Sequence, residues 1–547
     1  MNMVCKVCGA TLRGGAKFCN KCGVPLSLIT RLGSKMVGSE SEVTLLSDRD
    51  DDVPTVDSPT LKEKRAPHIL LSKPAQTILF VFIFASLPLL IPSLANMLSM
   101  KDQPYREILP DPHELVSFKN GGSSPADSSI PGGGPANAET TYSSTGTDTP
   151  VIVGSEHPIE DPSKALDSFY ASLSRTDAHQ PGAVTRITHY GDSPITNDGI
   201  TSTVRRLMQE QYGDAGHGFI LLDRPWAWYG HQAITFTSGG GWDDNPMGPG
   251  SSTGEFGLGG VSFTANGPGK YARFAPATTG DTGKNFSRME VYYLHEPGGG
   301  QFNVSVNNEN SQTVTTSGDA PTSGFFEIKA RQQGENTFEV KSASGSVRLF
   351  GAVLENDGPG VVYDSLGVNG AYAGLLVSAM NEGHWVEQLR HRNPNLVVIN
   401  YGTNESQYAS PDQMQRYEKD LREVIRRVRE ALPSVSILVV SPMDRGKHVP
   451  GGKIVTLPAI PMIVEMQRRV ALEEHCAFFN TFQAMGGDGT MAKWAAGTGK
   501  NHLVGGDLTH PTAEGAEIVG SLIYEAIKDG YTKYRSRAGQ NLVAQGK

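Results

Sequence analysis

Three short stretches of the 547-residue chain place side chains where nucleophilic chemistry needs them. The first is Gly191, Asp192 and Ser193, a sharp turn between the strand-like AVTRITHY and the amphipathic GITSTVRRLMQEQY. A serine between the end of a strand and the start of a helix gains from backbone amides and from the positive end of the helix dipole. The second stretch is Gly402, Thr403 and Asn404, which closes the apolar run Leu396 to Ile399 and puts a side-chain amide at the end of another strand. The third is DLTH, with Asp507 three residues before His510 and just ahead of a helical pattern. At that spacing in a turn, the carboxylate can hold the imidazole for general-base work. Taken singly, each stretch also fits a plain structural role: a helix cap, a turn amide, a loop histidine. Their order, their strand-end placement and the apolar runs before them argue for one site.

A different chemistry sits at the amino terminus. Four of the five cysteines, Cys5, Cys8, Cys19 and Cys22, form two CxxC pairs separated by ten residues. Four thiolates in that pattern suit a tetrahedral Zn²⁺ with no ligand position left for catalysis; two disulfides are the alternative. The segment resembles the short zinc ribbons at the amino termini of many bacterial membrane proteins, so residues 1–28 are expected to hold a structural zinc and to dock on an unidentified protein partner. Cys476 stands alone and is most simply a packing residue.

Between these chemistries lie the segments that separate them. Residues 29–73 are polar and charged, the composition of a linker. Between Lys73 and Lys101 there is no charged residue, and the stretch is long enough to cross a hydrocarbon core of about 30 Å, so 74–98 reads as one transmembrane helix, with a buried core helix as the alternative. Lys62, Lys64, Arg65 and Lys73 precede it, and the positive-inside rule puts the amino terminus in the cytoplasm. The expected location is the cytoplasmic membrane, with everything after residue 98 outside the cytoplasm. Residues 99–154 are a Gly, Ser, Pro and Thr spacer. The net charge of −9 argues against a nucleic-acid partner, which would call for a basic face. With 63 Gly and 34 Pro, a single uninterrupted helical architecture is excluded.

The elements that must position Ser193, Asn404 and His510 are legible as alternation. From Asn404 to Asp507 the chain reads helix (QMQRYEKDLREVIRRVREAL), strand (SILVV), helix (MIVEMQRRVALEEH) and strand (AFFNTF). Such βαβ alternation predicts an α/β fold with a mainly parallel sheet covered on both faces. More than 130 residues separate Phe219 from Gly370. They hold alternating runs such as MEVYYLH, FFEIKA and VRLFGAVLE between Gly, Asn, Ser and Pro turns, which reads as an antiparallel sandwich. The expected division is a leading α/β segment at 155–230, a β-rich insert at 231–358, a trailing α/β segment at 359–535 and a tail at 536–547. Trp226, Trp228, Tyr229, Trp242 and Tyr271 are candidates for stacking on sugar rings, with core packing as the alternative for each.

The four blocks together resemble the SGNH (GDSL-like) hydrolase superfamily: GDS at 191–193, VNGA with Gly370, GTN with Asn404, and DLTH with Asp507 and His510. The resemblance implies a flavodoxin-like doubly wound parallel sheet and a role for each residue. Ser193 attacks an ester carbonyl, His510 moves its proton, and Asp507 orients His510. The amides of Ser193 and Gly370 and the side chain of Asn404 form an oxyanion hole, and no cofactor takes part in catalysis. Pro194 stands where the family has Leu, Glu405 stands where Asp is frequent, and Gly367 competes with Gly370 for the second block. HYGDSPITNDGITSTVRRLMQEQYGDAGHGF and YDSLGVNGA look like the branch containing bacterial peptidoglycan O-acetylesterases, in which a carbohydrate-binding-like module interrupts the catalytic domain. That implies a membrane-anchored esterase acting on acetylated peptidoglycan or another polysaccharide. The alternatives are a polysaccharide O-acetyltransferase, a lipase or thioesterase, or a non-catalytic glycan-binding module.

Overall fold

The computed structural model describes residues 3–4, 11–12 and 157–544, apart from 253, 333 and 409. The chain divides into two units, residues 1–140 and 141–547. In the first, Met3–Val4 pairs antiparallel with Thr11–Leu12. The four cysteines expected to bind zinc, the linker, the membrane span expected at 74–98 and the spacer lie outside the described residues. Among the described residues, no helix is long and apolar enough to cross a membrane.

The second unit is organised by a parallel sheet of five strands: β1 (Val184–Gly191), β2 (Gly360–Gly367), β3 (Leu396–Asn400), β4 (Ser436–Val440) and β5 (Ala477–Phe479). Their spatial order is 2-1-3-4-5 and every neighbouring pair is parallel. This is the flavodoxin-like order, whose switch point falls between β1 and β3. Six helices cover the sheet: α1 (Asp167–Asp177), α2 (Gly199–Tyr212), α3 (Glu382–Arg392), α4 (Pro411–Ala431), α5 (Ala459–Glu473) and α6 (Ala513–Ala544). Alternate residues of β3 enter opposite cores, as strand geometry dictates. Leu396 and Val398 pack with Phe169 of α1, Val204 of α2 and Val519 of α6. Val397 and Ile399 pack with Leu389 of α3, Leu421 and Val428 of α4 and Ile463 of α5. Strands covered on both faces read as unbroken apolar runs, which is why LVVI and SILVV were recognisable.

Helix α4 starts where its sequence says it should. Ser410 and Gln413 form a reciprocal capping box with Pro411 next in line, so the first turn's free amides are satisfied. Its apolar stripe faces the sheet, while Glu418, Arg422, Glu423 and Arg426 pair along its outer face, the solvated face that its alternating charges suggest. Helix α6 continues past residue 535 to Ala544.

Between α2 and β2 the chain builds two antiparallel sheets. One runs Glu309–Thr315, Gln301–Val306, Phe338–Ser344, Tyr271–Ala275, Thr235–Ser238; the other runs Thr322–Lys329, Arg288–His295, Ser346–Glu355, Val261–Asn266, Asp243–Pro246. A short strand, Gly218–Ile220, leaves α2 and pairs with Ser346–Glu355, in the second of these sheets. The seam with the parallel sheet is a buried charge cluster. Glu355 accepts from Arg186 of β1 (2.8 Å to each oxygen), from Arg392 of α3 (2.6 Å) and from Arg288 of the sandwich (2.5 Å). Arg392 also grips both oxygens of Asp364 on β2, at 2.8 and 2.9 Å.

Candidate active site

Ser193 heads a four-residue helical turn, Ser193–Thr196, entered from β1 through Asp192. It is 7 % exposed, at the floor of the site. His510 Nε2 lies 2.7 Å from Ser193 Oγ, and His510 Nδ1 lies 2.5 Å from Asp507 Oδ2. An ionised Asp507 at Nδ1 draws the ring proton to that nitrogen, leaving Nε2 to accept from the serine hydroxyl. Burial pulls the Asp507 carboxyl upward, but hydrogen bonds from the His510 ring and from the amides of His510 and Thr509 outweigh it and hold the group below the usual carboxylate range. The loop curls because Leu508 adopts a left-handed φ of +55°, and the Gly446 amide fixes it by donating to the Leu508 carbonyl at 2.9 Å. The side chains of His510 and Asp507 are about half exposed (45 % and 51 %), so the site opens to solvent on the histidine side.

The amide of Asn404 lies beyond the end of β3 and donates from Nδ2 to the Ala371 carbonyl at 2.7 Å. This brings it against the turn that follows β2, where the two candidate glycines have different surroundings. A Cβ on Gly367 would stand 2.4 Å from the Thr196 nitrogen and 2.5 Å from the Ile195 carbonyl carbon, so that glycine lets β2 press on the serine's turn. Gly370 has φ +71° and open space around its Cα. It borders a cleft of about 460 Å³ together with Asn404, Glu405, Tyr372, Met414 and Pro249, the last contributed from the sandwich region. No protein acceptor faces the N–H of Ser193 or of Gly370 among the described residues.

Three further residues tie the site together, and sequence reading did not assign them. Asp192 is buried, and its Oδ2 accepts the Thr403 amide at 3.1 Å. Burial raises its carboxyl to about 7, against the hydrogen bonds from Thr403. Glu405 accepts the Ala373 amide at 2.9 Å, and burial, then the nearby Asp192 charge, raise it to about 8. Arg445, beyond the end of β4, donates to the Thr403 carbonyl at 2.8 Å, to Ser406 Oγ at 3.0 Å and to Thr509 Oγ1 at 3.2 Å. It thus links the Asn404 turn to the His510 loop. Its neighbour Asp444 is buried and accepts from the Arg445 amide, from Thr456 Oγ1 and from the Met491 amide at the start of the helix Thr490–Ala496. The only available signals were positions: Asp192 and Glu405 sit inside the recognised motifs, and Asp444 and Arg445 follow a strand end.

Asp198, His217 and His231 have ligand atoms within 4.8 Å of one another, yet protein donors already fill the set. Arg205 donates to both Asp198 oxygens (3.0 and 2.5 Å), and the two imidazoles bond each other at 2.8 Å. The Arg205 guanidinium supplies the positive charge that a metal would otherwise bring to Asp198. Of the candidate sugar-stacking aromatics, Tyr229 and Trp242 are core residues at 5 % exposure, whereas Trp228 is 54 % exposed.

Residues 332–518 match the GDSL-like lipase/acylhydrolase family. The chain carries a domain of that family. The match takes in Gly370, Asn404, Asp507 and His510 and begins downstream of Ser193, because the sandwich separates the serine from the rest of the hydrolase. No curated protein matches the chain. Among solved structures, a peptidoglycan O-acetylesterase aligns with a TM-score of 0.57 at 21% identity, covering 69% of this chain and 99% of its own. That likeness supports the fold of the hydrolase domain. A family two carbohydrate esterase from Clostridium thermocellum (TM-score 0.24, 14% identity, 54% of this chain and 98% of its own) and one from Cellvibrio japonicus (0.23, 12%, 55% and 99%) also align.

Proposed function

We propose that this protein is a serine esterase that removes O-acetyl groups from a cell-wall or extracellular polysaccharide, with peptidoglycan the favoured substrate. The observation that carries the reading is the continuous hydrogen-bonded line from Asp507 through His510 to Ser193. Ser193 Oγ attacks the acetyl carbonyl carbon while its proton passes to His510 Nε2. The carbonyl electron pair collects on oxygen, facing the N–H groups of Ser193 and Gly370 and the second N–H of Asn404 Nδ2. Collapse expels the sugar oxygen, which takes the proton from His510 and leaves acetyl-Ser193. A water deprotonated by His510 then repeats the sequence and releases acetate. One such donor is typically worth about 2.7 to 4 kcal/mol in the transition state.

The glycan substrate is supported by the fold shared with a peptidoglycan O-acetylesterase and by the cleft wall contributed from the sandwich region, which suits an extended substrate. Full-length protein should release acetate from acetylated peptidoglycan and from p-nitrophenyl acetate, and Ser193→Ala should lower kcat on the order of 10⁶-fold. Unchanged turnover in the alanine variant would sink the reading. A panel of acetylated polysaccharides, with an acyl chain-length series, separates a deacetylase from a lipase. The proposal also includes a cytoplasmic zinc ribbon on Cys5, Cys8, Cys19 and Cys22 and an anchor at 74–98, supported by the cysteine spacing and the uncharged run. One zinc per chain and sedimentation with membranes are the expected results.

A further inference from the structure

The turns that carry Ser193, Gly370 and Asn404 follow three different strands, and two buried carboxyls cross between them. Asp192 joins the serine's turn to the Asn404 turn through the Thr403 amide. Glu405 joins the Asn404 turn to the Gly370 turn through the Ala373 amide at 2.9 Å, beside the bond from Asn404 Nδ2 to Ala371. The titratable groups that face Glu405 are Asp192 from the turn after β1, Tyr372 from the turn after β2, Tyr401 from the end of β3 and Tyr417 from α4; Arg416 and Asp420 of α4 line the same cleft, and among the described residues no cation forms an ion pair with Glu405. Glu405 Oε2 is buried without a hydrogen-bond partner. A buried carboxyl lacking a cation is a poor source of stability, but its reach across the two turns makes it an effective strut. Where the resembling family frequently has Asp, the extra methylene of Glu405 spans the gap to Ala373.

We propose that Glu405 is a positioning residue for the oxyanion site, its side chain holding the loop with the Gly370 amide in register with the Asn404 amide. The proposal rests on the esterase reading above. In full-length protein, Glu405→Ala should lower kcat for p-nitrophenyl acetate about 100-fold, the scale of an ångström of misplacement, with KM changed less than about threefold. Glu405→Asp, too short to reach Ala373, should behave like Glu405→Ala. Glu405→Gln keeps an acceptor for the Ala373 amide and should recover most of the rate. Because Glu405 is neutral below about pH 8, an alkaline loss of kcat in the parent should be absent from Glu405→Gln. Deuterium exchange in residues 368–376 should quicken in Glu405→Ala and stay at the parent rate in Glu405→Gln. That last measurement needs no turnover, so it decides the strut even if Ser193-dependent activity is missing and the esterase reading falls. Unaltered exchange in Glu405→Ala, or equal losses of kcat in the Gln and Ala variants, would overturn the proposal.

Discussion

Buried carboxyls have opposite surroundings at the two ends of β1. Near its start, Glu355 lies among Arg186, Arg288 and Arg392; burial opposes ionisation, but the three guanidiniums hold the carboxyl far below its usual range. Past the far ends of β1 and β3, Asp192 and the inner carboxyl oxygen of Glu405 are buried with no such partner, and the two groups rise to about 7 and about 8. The contrast lies in charge, since burial is shared. The seam between hydrolase and sandwich is an ionised brace, whereas the two carboxyls of the site are raised toward physiological pH. Asp198 shows that location is not the cause. It follows Ser193 by five residues, yet Arg205, then His231, depress it against burial.

The comparison can be broken by removing one carboxyl at a time. The largest stability loss is expected for Glu355→Ala, which leaves Arg186 without a carboxylate and takes one acidic partner each from Arg392 and Arg288, and which should cost about 3 to 5 kcal/mol in denaturant unfolding. Asp198→Ala strands the buried Arg205 and should cost nearly as much, about 3 kcal/mol; a small loss there would tie the brace to its place in the fold and not to its charges. Asp192→Asn should cost about 1 kcal/mol or less, because the amide still accepts from Thr403 and carries no charge to bury.

The pH dependence should differ in sign as well. Between the unfolded carboxylate range near 4 and the folded values of about 7 and 8, native Asp192 and Glu405 hold protons that the unfolded chain has released. Stability therefore falls as pH rises through that window. Glu355 acts the other way, contributing above its unfolded value and losing that contribution as pH falls through its depressed one. Unfolding at pH 5, 7 and 9 should give a flatter profile for the double variant Asp192→Asn, Glu405→Gln than for the parent. Trp228→Ala, at an exposed position outside both clusters, should leave stability within about 0.5 kcal/mol.

Much of the hydrolase was legible because its signals are local. β3 and β4 announce themselves as apolar runs, and Ser193, Asn404, Asp507 and His510 each sit in a short motif at a strand end or helix start. What could not be read depends on contacts between distant residues. The bond from Thr403 to Asp192 spans 211 positions and that from Arg445 to Thr509 spans 64, so neither leaves a periodic trace. Gly218–Ile220 is too short to carry alternation, and only pairing reveals that it belongs to an antiparallel sheet. Tyr229 and Trp242 illustrate a further limit: in a turn-rich β region, aromatic content does not tell which rings the core takes.

The sandwich lies in the chain between Ser193 and the residues that it meets in the site. Thr188 on β1 meets Asp364 on β2 across 176 positions, and Ser193 meets His510 across 317. Contacts that distant form late, after the loop entropy of the intervening chain has been overcome. During synthesis, Ser193 therefore emerges long before Gly370, Asn404 and His510. The hydrogen-bonded line from Asp507 through His510 to Ser193 can close only after nearly all of the parallel sheet and the whole of the sandwich have been made.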